Sequence, residues 1–182
     1  MTQLHVIPDT ATYIVLNIRG NMAGKIRNIR ARFDPERSAM PAEITVTGSS
    51  GLGHLVPGQP FEEVVAEMDR IAGCFAPITA SFDKVERFPD TDIYYLTVAD
   101  PVPFQAIHEA FAGSSIRFQT SPYPFHPHCT LKLRSAPSDQ ELLELLFLDA
   151  PKGPFTLSRL SLYSLPDVCS CELLHTVRLR GS

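Results

Sequence analysis

An α+β fold with a duplicated organisation is predicted by three features of this 182-residue sequence. First, a unit of strand, helix and short motif strand occurs twice. Residues 12–18, 21–33 and 41–46 form the first copy, and 93–98, 101–111 and 125–131 the second, offset by roughly 80–85 residues. Second, strand candidates at 78–98 and 155–179 follow one another without intervening helices, which favours antiparallel pairing. Third, the helices do not alternate with strands in the steady rhythm of a doubly wound sheet.

The elements are justified in turn. Residues 12–18, Thr-Tyr-Ile-Val-Leu-Asn-Ile, read as a strand. The helix at 21–33 places Ile26, Ile29 and Phe33 on one stripe, with Asn21 as cap. Its basic cluster, Lys25, Arg27, Arg30 and Arg32, reads as a solvated outer face. A glycine-bearing loop is expected over 48–60. The next helix carries Phe61, Val64, Val65, Met68 and Ile71 at helical spacing and stops at Gly73. Residues 78–82 alternate as a strand, and a turn around Phe88-Pro89-Asp90 leads into 93–98. The helix after Asp100 buries Phe104, Ile107 and Phe111 and ends at Gly113. Ser138 with Glu141 forms a capping box ahead of Leu142, Leu145, Leu146 and Leu148. Strands at 155–165 and 172–179 close the chain, joined by a turn. No linker divides it, so 1–182 is expected to be one domain.

Composition narrows the function. Hydrophobic residues make up 44%, enough for a sizeable core, yet no apolar run approaches the ~20 residues of a membrane span. The first residues lack signal-peptide character, so a cytoplasmic protein is expected. A formal charge of −4 argues against a general polynucleotide binder and leaves small nucleotides and RNA ends as partners. The four cysteines contain no C-x-x-C pair and suggest neither a disulfide framework nor a zinc site.

The chemistry lies in the two motif strands. Alternate residues of a strand share a face, so His128 and Thr130 point one way while Cys129 points into the core. Glu43, Ile44 and Thr45 repeat that pattern. Facing strands would present a titratable group and a hydroxyl from each side, a plausible setting for a phosphate. Lys132 and Arg134 continue the His128 face at period two, and Tyr123, just upstream, could stack on a base. His54, in the glycine-bearing loop, is a candidate stand-in for a second histidine.

Pro127-His128-Cys129-Thr130-Leu131, with the element order around it, resembles the 2H phosphoesterase superfamily, which includes 2'-5' RNA ligase-like and cyclic phosphodiesterase proteins. The resemblance spans roughly residues 13–179. It implies a bilobal fold, with two pseudo-symmetric lobes of antiparallel sheet, helices packed outside and a central cleft. It also implies substrates such as nucleoside 2',3'-cyclic phosphates and RNA ends with 2'-5' linkages, turned over without a cofactor. The family carries two His-x-Thr/Ser motifs. The second is His128-Cys129-Thr130; in the first, Thr45 matches but Glu43 replaces the histidine.

Histidines suit proton transfer because their pKa lies near neutrality. A carboxylate beside a phosphate is different: like charges about 4 Å apart repel by roughly 4 kcal/mol at an effective dielectric near 20. Glu43 must be protonated, paired with a cation or turned away. Paired with His128, it would favour the imidazolium. Three readings therefore stay open. The first is a monomeric phosphodiesterase with an altered site. The second is a nucleotide or RNA-end binding module. The third is a metal-dependent hydrolase using His126, His128 and Glu43.

Overall fold

The computed structural model describes residues 5–133, 135–167 and 170–181. Its first half opens with β1 (Ala11–Asn17), α1 (Gly20–Phe33), the one-turn helix α2 (Pro35–Ser38) and β2 (Glu43–Thr47). β3 (Leu52–Leu55), α3 (Phe61–Ala72), β4 (Ile78–Ala80) and β5 (Phe82–Arg87) follow. Next come β6 (Tyr94–Val98), α4 (Val102–Ala112), β7 (Phe118–Thr120) and β8 (His128–Lys132). α5 (Asp139–Leu146), β9 (Phe155–Leu157), β10 (Arg159–Asp167) and β11 (Ser170–Arg178) complete the chain. No helix among the described residues is long and apolar enough to cross a membrane.

The strands form a four-stranded sheet, β11-β10-β1-β2, and a three-stranded sheet, β5-β6-β8, with two-stranded ribbons β3-β7 and β4-β9. Every pairing is antiparallel. The fold is α+β, as the sequence predicts.

The duplication is visible in the register. On β1 and β2, Asn17 pairs with Glu43, Leu16 with Ile44 and Val15 with Thr45; after an irregularity Ile14 pairs with Thr47. On β6 and β8, Thr97 pairs with His128, Leu96 with Cys129 and Tyr95 with Thr130; after a matching irregularity Tyr94 pairs with Lys132. Glu43 therefore occupies the register position of His128. Both motif strands are sheet edges, and β2 runs beside β8.

The helices cross between the halves. α1 packs on β8, and α4 packs on β2. The crossing is stitched by polar contacts to edge-strand carbonyls. Arg30, fully buried on α1, donates from Nε to the Thr130 carbonyl at 2.9 Å. Its Nη1 donates to the Met40 and Pro41 carbonyls at 3.3 and 2.9 Å, just before β2. On α4, His108 Nδ1 lies 2.8 Å from the Val46 carbonyl of β2, and its ring stacks on Phe125 at 3.9 Å. Between these stitches, Ile44, Val46, Cys129 and Leu131 join one apolar core with Ile26, Phe104, Ile107 and Phe111.

Several local expectations change. Arg30 is not on the solvated face expected for the basic cluster; that face belongs to Arg27 and Arg32. A one-residue step on the helix decides it, because Arg30 shares the stripe of Ile26 and Phe33. Helix α1 starts at Gly20 without a side-chain cap, so Asn21 does not serve as one. The expected loop at 48–60 contains β3, because its short apolar residues find a partner strand in β7. The capping box at Ser138 and Glu141 forms as expected.

Arg30→Ala should destabilise the protein strongly, since it strips hydrogen bonds from three carbonyls and leaves a cavity. We expect a loss of about 3–5 kcal/mol, read from urea unfolding, against about 0.5 kcal/mol or less for Arg27→Ala. Equal, small losses would mean that Arg30 does not hold the halves together.

Candidate active site

The site is assembled where β2 and β8 lie side by side. Strand alternation turns Ile44 and Val46 into the core, and Glu43 and Thr45 to the opposite face of the sheet. On β8, Cys129 and Leu131 go inward, and His128 and Thr130 stay on the other face. Thr45 and Thr130 are half-buried, while Glu43 and His128 are only 5% and 7% exposed.

Arg37, on the short helix α2, reaches both motif strands. Asp34 positions α2 by accepting from the Arg37 backbone N–H through Oδ1 at 3.1 Å, while its Oδ2 accepts from the Leu133 N–H at 2.9 Å. Arg37 then lies 3.7 Å from Glu43 Oε1 and donates from Nε to the Thr130 carbonyl at 3.4 Å. One guanidinium thus touches both motif strands, with Arg30 bound to the same Thr130 carbonyl.

Burial pushes the Glu43 carboxyl above the usual carboxylate range, against the pull of Arg37 and Arg30. Its Oε2 is buried without a hydrogen-bond partner. Both features shift the balance of Glu43 toward its protonated form.

His128 is perturbed in the opposite functional sense. Its Nδ1 sits 2.6 Å from the His126 carbonyl, which can only accept, so Nδ1 carries the proton and Nε2 keeps its lone pair. The ring packs edge-on against Phe88 and Tyr95, at 5.0 and 5.1 Å between centroids. Burial lowers its pKa to about 4, and the Arg37 charge contributes in the same direction. At neutral pH the ring is uncharged. The nearest cation to Glu43 is therefore an arginine, and the Glu43–His128 ion pair considered from sequence is replaced by Glu43–Arg37.

The face of the four-stranded sheet beside Glu43 carries a polar chain next to a small cluster of Tyr13, Val15 and Tyr163. Asn17, opposite Glu43 in register, donates from Nδ2 to the Tyr163 hydroxyl at 3.2 Å and accepts from Ser161. Ser161 continues to Thr176 at 3.0 Å. Tyr13 lies above the ordinary tyrosine range, through burial and then the Glu43 charge. Sequence reasoning missed Arg37, Asn17, Tyr13, Ser161 and Tyr163. Period-two alternation of Tyr13, Val15 and Asn17 on β1 was a signal that could have found two of them.

The remaining sequence candidates are placed differently. Lys132 is buried and donates from Nζ to the Phe33 carbonyl at 2.9 Å and to Ser135 at 3.1 Å. The irregularity between Thr130 and Lys132 breaks period two and turns Lys132 to the C-terminal end of α1, where a cation is favoured. Lys132 is a helix-end partner here, not a continuation of the His128 face. Arg134 lies outside the described residues. His54 sits half-buried on β3 next to Gly48, held in a strand and not in a free loop. Tyr123 is 67% exposed, and its carbonyl accepts from the Gly51 N–H at 2.7 Å. Gly51 is required there: its φ is +67°, and a Cβ would lie 2.3 Å from His108 Nε2. Among the described residues, His126, His128 and Glu43 are not grouped as a metal-ligand set.

Comparison with solved structures finds the same fold in Escherichia coli LigT complexed with 3'-AMP. The identity is 18%, the TM-score 0.63, and the match covers 93% of this chain and 98% of that one. TT0787 of Thermus thermophilus is similar at 16% identity and TM-score 0.63, covering 94% and 99% of the two chains. LigT has also been solved complexed with ATP, at 16% identity and TM-score 0.62, covering 97% and 99%. No curated protein matches the sequence. The family model of the 2'-5' RNA ligase superfamily matches residues 19–167, from the start of α1 to the end of β10 and across both motif strands. With the fold and the duplicated register, that match identifies the chain as a member of the 2'-5' RNA ligase superfamily, the 2H phosphoesterases.

Proposed function

We propose that this protein is a phosphodiesterase acting on nucleoside 2',3'-cyclic phosphates or RNA ends, with its two proton-transfer roles divided between a histidine and a carboxylic acid. The observation that carries this reading is the Arg37–Glu43 contact between the motif strands, which answers the charge problem that Glu43 poses. Two guanidiniums bias this junction toward an anion, and the raised pKa of Glu43 lessens its repulsion of one. The likeness to LigT, whose structures hold 3'-AMP and ATP, supports a nucleotide ligand.

The roles follow from the protonation states. His128, neutral with its Nε2 lone pair free, takes the proton from the attacking water. Glu43, whose pKa burial raises, gives its proton to the leaving ribose oxygen. Thr45 and Thr130 hydroxyls hold non-bridging oxygens, and Arg37 offsets the negative charge that gathers on phosphorus oxygens in the transition state. Water attack at phosphorus opens the cyclic diester to a monoester. One proton enters through Glu43 and one leaves through His128, so the books balance.

The pH dependence has a definite sign. Turnover should rise as pH climbs through about 4, where His128 loses its proton. It should fall again as pH passes the raised Glu43 pKa, where the acid is lost. Glu43→Gln should lower kcat about 10²–10⁴-fold and erase the alkaline limb, measured with adenosine 2',3'-cyclic phosphate across pH. An alkaline limb that persists in Glu43→Gln would remove Glu43 from the reaction.

His128→Ala should lower kcat by a similar factor of about 10²–10⁴ and leave nucleotide affinity nearly intact. Unchanged turnover in His128→Ala would refute its assigned role. The deep burial of both groups favours a second reading, in which the same junction binds a nucleotide without turning it over. Calorimetric binding of 3'-AMP by a wild-type protein that hydrolyses no cyclic phosphate would establish that alternative.

A further inference from the structure

Helix α5, with the two residues that follow it, is apolar on two sides. Its inner side chains, Leu142, Leu145 and Leu148, pack with Phe33 and Tyr94 in a small core of their own. Its outer side holds Leu143, Leu146 and Phe147, which are 57, 47 and 83% exposed. At i, i+3 and i+4 these three form one patch on the helix surface. A helix that is apolar all round belongs in an interior, so the outer patch calls for a cover.

The charges around the patch narrow what can cover it. Residues 138–149 hold Asp139, Glu141, Glu144 and Asp149 and neither Lys nor Arg. The neighbouring helix α1 is the reverse: residues 20–33 hold Lys25, Arg27, Arg30 and Arg32 and neither Asp nor Glu. The two helices lie side by side, since Ile29 packs on the core under α5 and Arg32 pairs with Glu144. Arg30 is buried and Lys25 donates to the Lys152 carbonyl, but Arg27 and Arg32 are exposed. Between those two on the helix surface lie Asn28 and Ala31, both short and both exposed. Helix α1 therefore presents a shallow seat with an arginine on each flank. Helix α5 presents an apolar ridge with Glu144 on its flank and Asp139 and Asp149 at its ends. A partner of one charge would be drawn to one helix and repelled by the other. A copy of the same surface, turned by a two-fold axis, matches both.

We propose that a second copy of this chain covers the patch, in a two-fold dimer where the α5 ridge of each protomer lies on the Asn28–Ala31 seat of its partner. Symmetry makes each contact twice, so the apolar patch and both sets of charges are satisfied together. The interface is small. Eight residues of helix span about 12 Å, which keeps even the doubled contact at the low end of specific interfaces, below about 1,200 Å² in total. The pairing is therefore weak and depends on concentration. It forms on the helix side of the core, whereas Glu43 and His128 lie on the opposite face of their sheets. It stands independently of the function proposed for that junction.

Sedimentation velocity across about 5 to about 500 μM protein tests the pairing. Wild type should pass from monomer to dimer with a dissociation constant on the order of 10–100 μM, the weak range expected of a small interface. Leu143→Gln with Phe147→Gln should weaken the dimer by about tenfold or more. Both side chains are exposed, so this variant should keep the wild-type urea midpoint. Arg27→Glu with Arg32→Glu should leave only monomer, and so should Glu144→Lys with Asp149→Lys, because each sets like charges face to face. All four charge reversals together should restore the dimer, since the helices attract again with their signs exchanged. Damage to the fold cannot produce that restoration. A dimer indifferent to Leu143→Gln with Phe147→Gln, or a four-fold variant that stays monomeric, would overturn the proposal. Wild type that remains monomeric at about 500 μM would overturn it as well and leave the patch to a partner of another kind.

Discussion

The fold depends on a crossed exchange of helices. Each half of the duplication contributes a strand pair and a helix, but each helix packs on the other half's motif strand. The polar groups that fix this exchange are unlike. Arg30 binds carbonyls on β8 and before β2, and His108 binds a carbonyl of β2. Both motif strands are sheet edges, whose outer backbone groups would otherwise need water or another strand. Serving those carbonyls from the crossed helices brings β2 and β8 together.

Electrostatics at that junction explains how a carboxylate fits where the register puts the counterpart of a histidine. Glu43 is nearly buried, so its ionised form is expensive unless a cation stands close. Arg37 stands 3.7 Å away and Arg30 adds its field from beneath. The separation is too long for a tight hydrogen-bonded pair, and burial prevails. His128 meets the complementary condition. Aromatic rings and burial hold it neutral, and the His126 carbonyl fixes which nitrogen bears the proton. Two titratable groups in equivalent register positions are thereby shifted in opposite directions, Glu43 upward in pKa and His128 downward.

Much of this was legible in the sequence, and the limits have physical causes. Period-two alternation separated Glu43 and Thr45 from Ile44, and His128 and Thr130 from Cys129, because core burial enforces strand parity. Helical stripes located α3 and α4 for the same reason. Lys132 was misread because parity fails at the irregularity after Thr130, a feature that no local residue pattern announces. Arg30 was misread because an arginine on an apolar stripe looks like a snorkelling surface residue until the carbonyls it serves, 10 to 100 residues away, are in place. Arg37 escaped notice because its helix is one turn long, held by Asp34 and by a tertiary contact to β8. The strands β3 and β7 were hidden for a related reason: each is short and is defined mainly by its partner.

The central claim is that Arg37 is the cation that receives an anion at the junction and that Glu43 restrains it. Calorimetric titration of inorganic phosphate into wild type, Arg37→Gln, Glu43→Gln and the double variant tests it directly at neutral pH. Arg37→Gln should weaken phosphate binding by about tenfold or more, the scale of a charge-assisted hydrogen bond. Glu43→Gln should strengthen it or leave it unchanged, and the two effects should not add, because the groups touch. Phosphate binding that is indifferent to Arg37→Gln, or lost in Glu43→Gln while Arg37 is intact, would contradict the account.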